Sequence, residues 1–332
     1  MHFFQPQVPS LPSDLNLSGK TIIVTGASAG IGLEICRQLL VHRVSNLIMA
    51  VRNCAKGETV RKDLLAETAI QKANPSATVK VMQLDTESYE SVQRFVSAFT
   101  TQFEDLHLLL ANAGIGTVTK ELASSGHEKD IQVNYLSNVL LTIALLPVLE
   151  ATAGKSGHPT RATWTCSRML EYSSLPKKLP PKQGEGVLKH LDTAQGLATF
   201  TRYADSKLLC ALFQRELANH CNGDKVIINS FCPGHVSTSM GHDLPLYLRI
   251  PASAIKAIRG RPVHKAGWIA LNAGLLAGKE THGKLLGDTV VEEPWEFITS
   301  REGQMVQKML WNETIDEMAG MMNLPHWMSK LA

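Results

Sequence analysis

The chain has 332 residues, 44% of them hydrophobic and 19% charged, the balance of an ordinary globular protein with ample apolar material for a large core. Its formal net charge is only +3, and the basic residues are scattered apart from a short cluster between Arg249 and Arg261, so electrostatics do not point to nucleic acid. Six cysteines (Cys36, Cys54, Cys166, Cys210, Cys221 and Cys232) show no CxxC spacing, and the twelve histidines show no metal-ligand spacing. Reduced, mostly buried thiols in a cytoplasmic protein are expected, with no disulfide framework and no metal.

Residues 1–17 read as an irregular, proline-bearing arm without the basic-then-apolar pattern of a secretory signal. Thr21–Thr25 is an apolar run that ends at a glycine turn, and Ile31–Val41 follows with helical periodicity. Asn46–Val51 is a second apolar run, Lys56–Ala73 a polar helix, and Thr78–Leu84 an alternating strand. Ser88–Phe103 returns to helical spacing, and Leu106–Ala111 is a buried strand. Gly126–Leu149 reads as a long helix bent at Pro147. Its apolar stretch Val139–Leu149 is too short to span a bilayer, so no membrane span is expected. Arg161–Cys166 is a strand, Thr201–His220 a helix, and Lys225–Phe231 another strand.

Two segments break this rhythm: residues 168–200, an insertion between a strand and the next helix, and residues 241–262, an apolar stretch that reads as a substrate loop. A short strand over Leu285–Val290 and a helical tail, residues 291–332, complete the chain. Alternating strands and helices predict an α/β Rossmann-type, doubly wound parallel sheet with helices on both faces, one domain over residues 18–290.

Two features carry chemistry. The turn Thr25-Gly26-Ala27-Ser28-Ala29-Gly30-Ile31-Gly32 lies between a strand and a helix, where glycines let the backbone and a helix N-terminus approach a pyrophosphate. Its spacing is G-x-x-x-G-x-G rather than the general G-x-G-x-x-G fingerprint. Far downstream, Tyr203 and Lys207 stand four residues apart on a helix, so both project the same way. An ammonium beside the phenol favours the phenolate and lowers the tyrosine pKa, which makes Tyr203 a proton donor or acceptor. Together they point to hydride chemistry on a carbonyl or an alcohol.

The ordered set Thr-Gly-x-x-x-Gly-Ile-Gly, Asn112-Ala113-Gly114, Asn134, Ser167, Tyr203-x-x-x-Lys207 and Pro233-Gly234 resembles the short-chain dehydrogenase/reductase family over about residues 18–290. Lys308-Met309-Leu310-Trp311 is similar to the tail of its retinol-dehydrogenase-like members, and the whole resembles fungal secondary-metabolism reductases. The resemblance implies that Tyr203 is the acid/base, that Lys207 tunes it and binds the nicotinamide ribose, that Ser167 holds the substrate oxygen, and that Asn134 anchors a proton path to the lysine. It further implies that Gly26, Ser28, Ala29, Gly30, Ile31 and Gly32 cradle the cofactor phosphates. Asp85 would contact the adenine, Asn112, Ala113 and Gly114 would line the cofactor, and Pro233, Gly234, Val236 and Thr238 would meet its nicotinamide end. The family's serine usually lies about a dozen residues before the tyrosine, but here the gap is thirty-six, and Ser173 and Ser174 are closer. Ser167 is chosen because it directly follows a strand.

The second strand ends Val51-Arg52-Asn53, with no acid and with Arg52 in place, so NADP(H) is the expected cofactor. The expected activity is reduction of a bulky apolar ketone or oxidation of the matching alcohol. The alternatives are a non-redox member of the same fold (a dehydratase, isomerase or cyclase) and a non-catalytic NADP(H) sensor. Segments 168–200 and 241–262 are expected to cover the substrate pocket. A homodimer is possible through the helices Gly126–Leu149 and Thr201–His220, which members of the family often pair.

Overall fold

A computed structural model of the chain describes residues 5–178, 185–195, 199–237 and 260–331. Strand β1 (Thr21–Thr25) is buried along its whole length, as an apolar run between two layers of helices must be. It pairs in parallel with β2 (Asn46–Val51) on one side and with β4 (Leu108–Ala111) on the other. Strand β3 (Thr78–Gln83) extends the sheet beyond β2. On the other side β5 (Thr160–Thr165), β6 (Val226–Cys232) and β7 (Leu285–Gly287) follow β4, all parallel. The strand β8 (Val290–Val291) returns antiparallel to β7. The order β3-β2-β1-β4-β5-β6-β7-β8 is doubly wound. Its switch point lies between β1 and β4, where a crevice opens at the carboxyl ends of the strands.

Each face of the sheet has its own core. On one face, helices Gly30–Val41 and Val263–Leu271 bury Ile35, Leu39 and Ile269 against β1 and β2, and Val8, Leu11 and Leu17 of the N-terminal arm join them. On the other, helices Tyr89–Gln102, Lys129–Ser156, Thr199–His220 and Arg301–Ala319 pack as a layer around Phe95, Tyr135, Phe213 and Trp311. The C-terminal helix belongs to this core. Trp311 is fully buried and stacks on Phe213 at 5.4 Å and on His220 at 4.8 Å between ring centroids. Tyr135 Oη and Thr314 Oγ1 share a hydrogen bond of 2.6 Å, and Gln307 Nε2 donates to Glu216 at 2.6 Å. This helix thereby covers part of the two helices that the family often pairs in dimers.

Some elements differ from their sequence reading. The polar helix splits into Cys54–Ala66 and Thr68–Ala73, because Glu67 takes an extended ψ of 124°. The long helix starts at Lys129, capped by the Glu128 carboxylate, passes through Pro147 and stops at Gly157, whose φ is 68°. At 28 residues it is long and apolar enough to cross a membrane, but 72% of its most apolar window is buried inside the protein. A wide turn at Gln132–Leu136 interrupts its α-helical hydrogen bonding. The single strand expected over Leu285–Val290 is a hairpin turning at Asp288-Thr289. Helix Val263–Leu271 was not expected at all. It is glycine- and histidine-bearing, and its value lies in the face it buries rather than in its propensity.

Candidate active site

The glycine turn leaves β1 at the switch point. Gly26 has φ 66°, a conformation that a side chain would strain. A Cβ on Gly32 would come within 2.4 Å of the Gly26 carbonyl oxygen and 2.7 Å of Asn112 Nδ2, so only glycine lets the helix start this close to the strand. Ala29 stands before the helix with no side chain capping its first N–H groups. An uncapped helix N-terminus under a glycine turn fits a diphosphate. Ser28, Ala29, Gly30 and Ile31 are all half-buried around it.

Asn112 and Ala113 tie the ends of β4 and β1 together. Asn112 Nδ2 donates to the Thr25 carbonyl at 3.0 Å, and Ala113 N–H to Thr25 Oγ1 at 2.8 Å. Gly114 lies over Lys207: a Cβ there would be 3.0 Å from Asn134 Oδ1 and 3.6 Å from Lys207 Nζ. Asn134 sits in the wide turn of the long helix, fully buried. Its Oδ1 accepts from Ile115 N–H at 2.8 Å, and its Nδ2 donates to the Ile115 carbonyl at 2.8 Å and to Ser206 Oγ at 2.9 Å. One side chain thus joins the loop after β4 to the helix that carries Tyr203. At this wide turn the Asn134 carbonyl accepts from the Cys210 thiol at 3.1 Å and from Asn138 Nδ2 at 2.9 Å.

Helix Thr199–His220 presents Tyr203 and Lys207 on one side. Lys207 is buried, its Nζ donates to the Thr165 carbonyl at 2.9 Å, and it lies 5.5 Å from the centre of the Tyr203 ring. Gly116 closes on the other side of that ring, within 3.4 Å of Cδ2 for an added Cβ. The expected depression of the tyrosine pKa does not appear in this structure. Burial pushes the Tyr203 phenol up, and although Lys207 and the Ser167 hydroxyl both act to lower it, the net direction is upward. Helical spacing identifies the partner correctly but takes no account of desolvation. Burial acts to depress the Lys207 ammonium, but the acidic groups around it, Tyr203, Cys210, Cys166 and Asp130, outweigh burial and set it above its ordinary value, so it is charged at neutral pH. The Cys166 and Cys210 thiols beside it are pushed by burial to about 11 and 12, which keeps them neutral and out of the chemistry.

Ser167 lies two residues past the end of β5 and is half-buried. Its oxygen accepts from Met169 N–H at 3.1 Å, and its hydroxyl is the one that acts on the Tyr203 phenol. Ser173 and Ser174 are engaged elsewhere. Ser173 Oγ donates to Asp205 Oδ1 at 2.7 Å, Ser174 Oγ to Asp205 Oδ2 at 3.0 Å, and Ser174 N–H to Asp205 Oδ1 at 2.6 Å. Asp205 is the aspartate of Tyr-Ala-Asp-Ser-Lys, whose role as anchor for the inserted segment was not read from the sequence. Its signal was an acid between Tyr203 and Lys207, beside the residues read as catalytic.

The described part of the insertion is not a free flap. Leu170, Leu175, Val187, Leu188 and Leu191 are buried in the main core. Glu313 of the C-terminal helix accepts from Leu188 N–H at 3.0 Å. Asp192 accepts from Glu128 N–H at 2.7 Å and meets His127 Nδ1 at 2.7 Å. Burial by itself would lower the His127 imidazolium, but Asp192 and Glu317 raise it to about 9. Burial and the neighbouring Asp130 push the Glu128 carboxyl up to about 7.

At the cofactor's expected adenosine end, Asp85 Oδ1 accepts from Glu87 N–H at 3.0 Å, an Asx-turn at the close of β3. Arg52 Nη1 pairs with Glu87 Oε1 at 3.0 Å and is mostly exposed, while Lys129 holds the other Glu87 oxygen at 3.1 Å. The acid next to Arg52 was missed because it arrives from the turn after β3, 35 residues along the chain. At the other end Gly234 turns with φ 73°, and Val236 forms a parallel bridge with Arg261. Thr238 and most of the 241–262 segment lie outside the described residues, as do residues 179–184 and 196–198 of the insertion.

A doubly wound sheet with a diphosphate-shaped turn at its switch point and a tyrosine–lysine pair at the adjoining strand ends defines a nucleotide-dependent enzyme fold. Residues 20–158 match the short chain dehydrogenase family. The chain is 48% identical over 325 residues to Short chain dehydrogenase macD of Penicillium terrestre, covering 98% of each chain. It is 49% identical over 323 residues to Short chain dehydrogenase yanD of Aspergillus niger, covering 97% of this chain and 98% of that one. Among solved structures the Pseudomonas aeruginosa RhlG/NADP active-site complex shares the fold, with a TM-score of 0.61 at 22% identity over 83% of this chain and 97% of that one. The protein belongs to the short-chain dehydrogenase/reductase family and is an oxidoreductase akin to its fungal members.

Proposed function

We propose that the protein is an NADP(H)-dependent carbonyl reductase or alcohol dehydrogenase acting on a bulky apolar ketone or alcohol. The observation that carries the reading is the convergence of the Tyr203 phenol, the Lys207 ammonium and the Ser167 hydroxyl at the carboxyl ends of β5 and β6, beside the glycine turn. The nicotinamide, when bound, supplies or accepts the hydride at the carbonyl carbon. Tyr203 gives its phenolic proton to the carbonyl oxygen on reduction and takes it back on oxidation. Ser167 donates to the same oxygen as charge develops there. Lys207 holds its charge against the phenol and steadies the phenolate left after proton transfer. Asn134 keeps the loop over Lys207 in place through its paired bonds to Ile115.

Arg52 supports NADP(H) over NAD(H), because a guanidinium at the end of β2 suits a 2′-phosphate and β2 ends without an acid. Glu87 sets a condition on that preference, since a phosphate must compete with it for the arginine. Solved structures of the fold include complexes with NADP and with NAD, which supports a nicotinamide cofactor of either kind. The apolar character of the 241–262 segment and the tethering of residues 168–200 between Ser167 and the Tyr203 helix support a bulky, greasy substrate. Six unpaired thiols suit a cytoplasmic location. The experiment is Tyr203→Phe, assayed by NADPH oxidation against a panel of bulky ketones and by fluorescence titration with NADPH. Turnover should vanish while cofactor binding is retained. A Tyr203→Phe enzyme with wild-type turnover would overturn Tyr203 as the acid/base, and a wild-type enzyme that oxidises NADPH with no ketone of the panel would overturn the redox reading.

A further inference from the structure

A partly buried ion network stands next to the serine, at the hairpin of β7 and β8. Arg168, the residue after Ser167, sends its guanidinium to Asp288 Oδ2 at 2.9 Å and to Glu292 Oε1 at 3.1 Å. Asp288 gives its second oxygen to Arg261 Nη2 at 2.5 Å. Asp288 and Arg261 are both almost fully buried, their side chains 7% and 4% exposed. Arg261 also works through its backbone. Its N–H donates to the His235 carbonyl at 2.8 Å, and its carbonyl accepts from Ser237 N–H at 3.1 Å. Its guanidinium lies beneath Gly234, 3.4 Å from where a Cβ would stand.

Asp288 therefore touches two segments of the site at once. Through Arg168 it holds the turn that begins at Ser167, whose next backbone N–H also reaches Cys232 Sγ at 3.4 Å. Through Arg261 it holds the stretch Pro233–Ser237, from which the chain departs and to which it returns at residue 260. The carboxylate is carried in an unfavourable backbone. Asp288 has φ 54° and Thr289 φ 75°, the left-handed region at both centres of a two-residue hairpin turn. A β-branched threonine at positive φ is a genuine outlier, and such strain persists where surrounding contacts over-determine it.

We propose that Asp288 is a positioning residue that couples the Ser167 turn to the Pro233–Ser237 loop, so that the serine and the cofactor-facing loop hold one shared geometry. The proposal rests on the roles assigned above to Ser167 and to that loop. The Arg261–Asp288 pair is desolvated and both Asp288 oxygens are taken, so a shift of this carboxylate reaches both arginines, although Arg168 is 40% exposed and keeps Glu292 as a second partner.

The test uses the full-length protein and NADPH itself, read by fluorescence titration, so that no ketone need be known. Asp288→Asn would strand a buried guanidinium and risks misfolding, so the arginines are varied instead. Arg168 lies remote from the loop except through Asp288 and one thiol contact. Arg168→Gln should weaken NADPH binding roughly five- to tenfold, within the range of coupling between residues that share a partner. Arg168→Lys should restore most of it. Arg261→Lys should weaken it by itself, and adding Arg168→Gln to Arg261→Lys should cost less than the product of the two single effects. Thr289→Gly should raise the thermal midpoint and leave NADPH affinity unchanged. Unaltered affinity in Arg168→Gln, or strict multiplicativity in the double variant, overturns the coupling. A merely structural network would lower thermal midpoints without moving affinity. Failure of the wild-type chain to bind either NADPH or NADH would instead overturn the functional reading beneath it.

Discussion

Ser167 and Ser174 offer a crossed pair of substitutions, one expected to affect turnover and the other stability. Ser167→Ala removes a hydroxyl that acts on the Tyr203 phenol and the acceptor of the half-buried Met169 N–H, while the Arg168 N–H keeps its bond to Cys232. Loss of one donor to a developing oxyanion costs about a hundred- to a thousandfold in kcat, or about 2.7–4 kcal/mol in the barrier. Ser174→Ala removes a hydrogen bond of 3.0 Å to a buried carboxylate, which keeps Ser173 Oγ and the Ser174 N–H. A bond to a charged group contributes about 1.5–3 kcal/mol, and the two remaining donors put the loss at the lower end. In a chain of this size that is a fall of about 2 °C in the thermal midpoint. The assay is steady-state ketone reduction alongside thermal unfolding for both variants. Ser167→Ala should lose turnover at nearly wild-type stability, and Ser174→Ala should lose stability at nearly wild-type turnover. A Ser174→Ala enzyme that loses a hundredfold in kcat, with Ser167→Ala unimpaired, would refute the assignment of the serine.

Arg52→Ala should narrow the preference for NADPH over NADH by about ten- to a hundredfold, the range for one charge-assisted phosphate contact of about 1.5–3 kcal/mol. Equal wild-type dissociation constants for the two cofactors would remove the basis for NADP(H). Stability should fall as pH rises from 6.5 to 9, because the raised His127 contributes fully below 6.5 and is lost through about 9. The raised Glu128 acts in the same sense, its stabilising proton being lost as pH climbs from 4.5 through about 7. Thermal midpoints measured across this range should decline, and less steeply above neutrality in His127→Gln; a flat wild-type profile would count against the network. Trp311→Ala should destabilise the protein by about 3–5 kcal/mol in urea titration, because a fully buried ring stacked on Phe213 and His220 leaves a large void. A loss below about 1 kcal/mol would show that the C-terminal helix is an appendage rather than part of the core.

Much of the architecture was legible because it rests on local periodicity. Thr21–Thr25 and Asn46–Val51 are continuous apolar runs bounded by turn residues, and they are strands with those same ends. The glycine turn was legible for the same reason, since the spacing of Gly26, Gly30 and Gly32 is a backbone requirement written directly into residue type. Tyr203 and Lys207 were paired by helical spacing alone. What the sequence did not disclose is what depends on neighbours distant along the chain. Desolvation of Tyr203 comes from the elements packed around it, so its pKa moved against the expectation from Lys207. Asp205 holds Ser173 and Ser174 only because the insertion folds back on its own helix, and that contact sets Ser167 apart from its rivals. Glu87 reaches Arg52 across the end of a neighbouring strand. The wide turn at Asn134 is invisible to periodicity because it changes the hydrogen bonding of a helix without changing its apolar pattern. Asp288 joins Arg168 to Arg261 across intervals of 120 and 27 residues. Residue type and short spacing determine strands, helices and the glycine turn, whereas charge pairing and burial are set by the packing of the sheet, and only the tertiary structure could decide them.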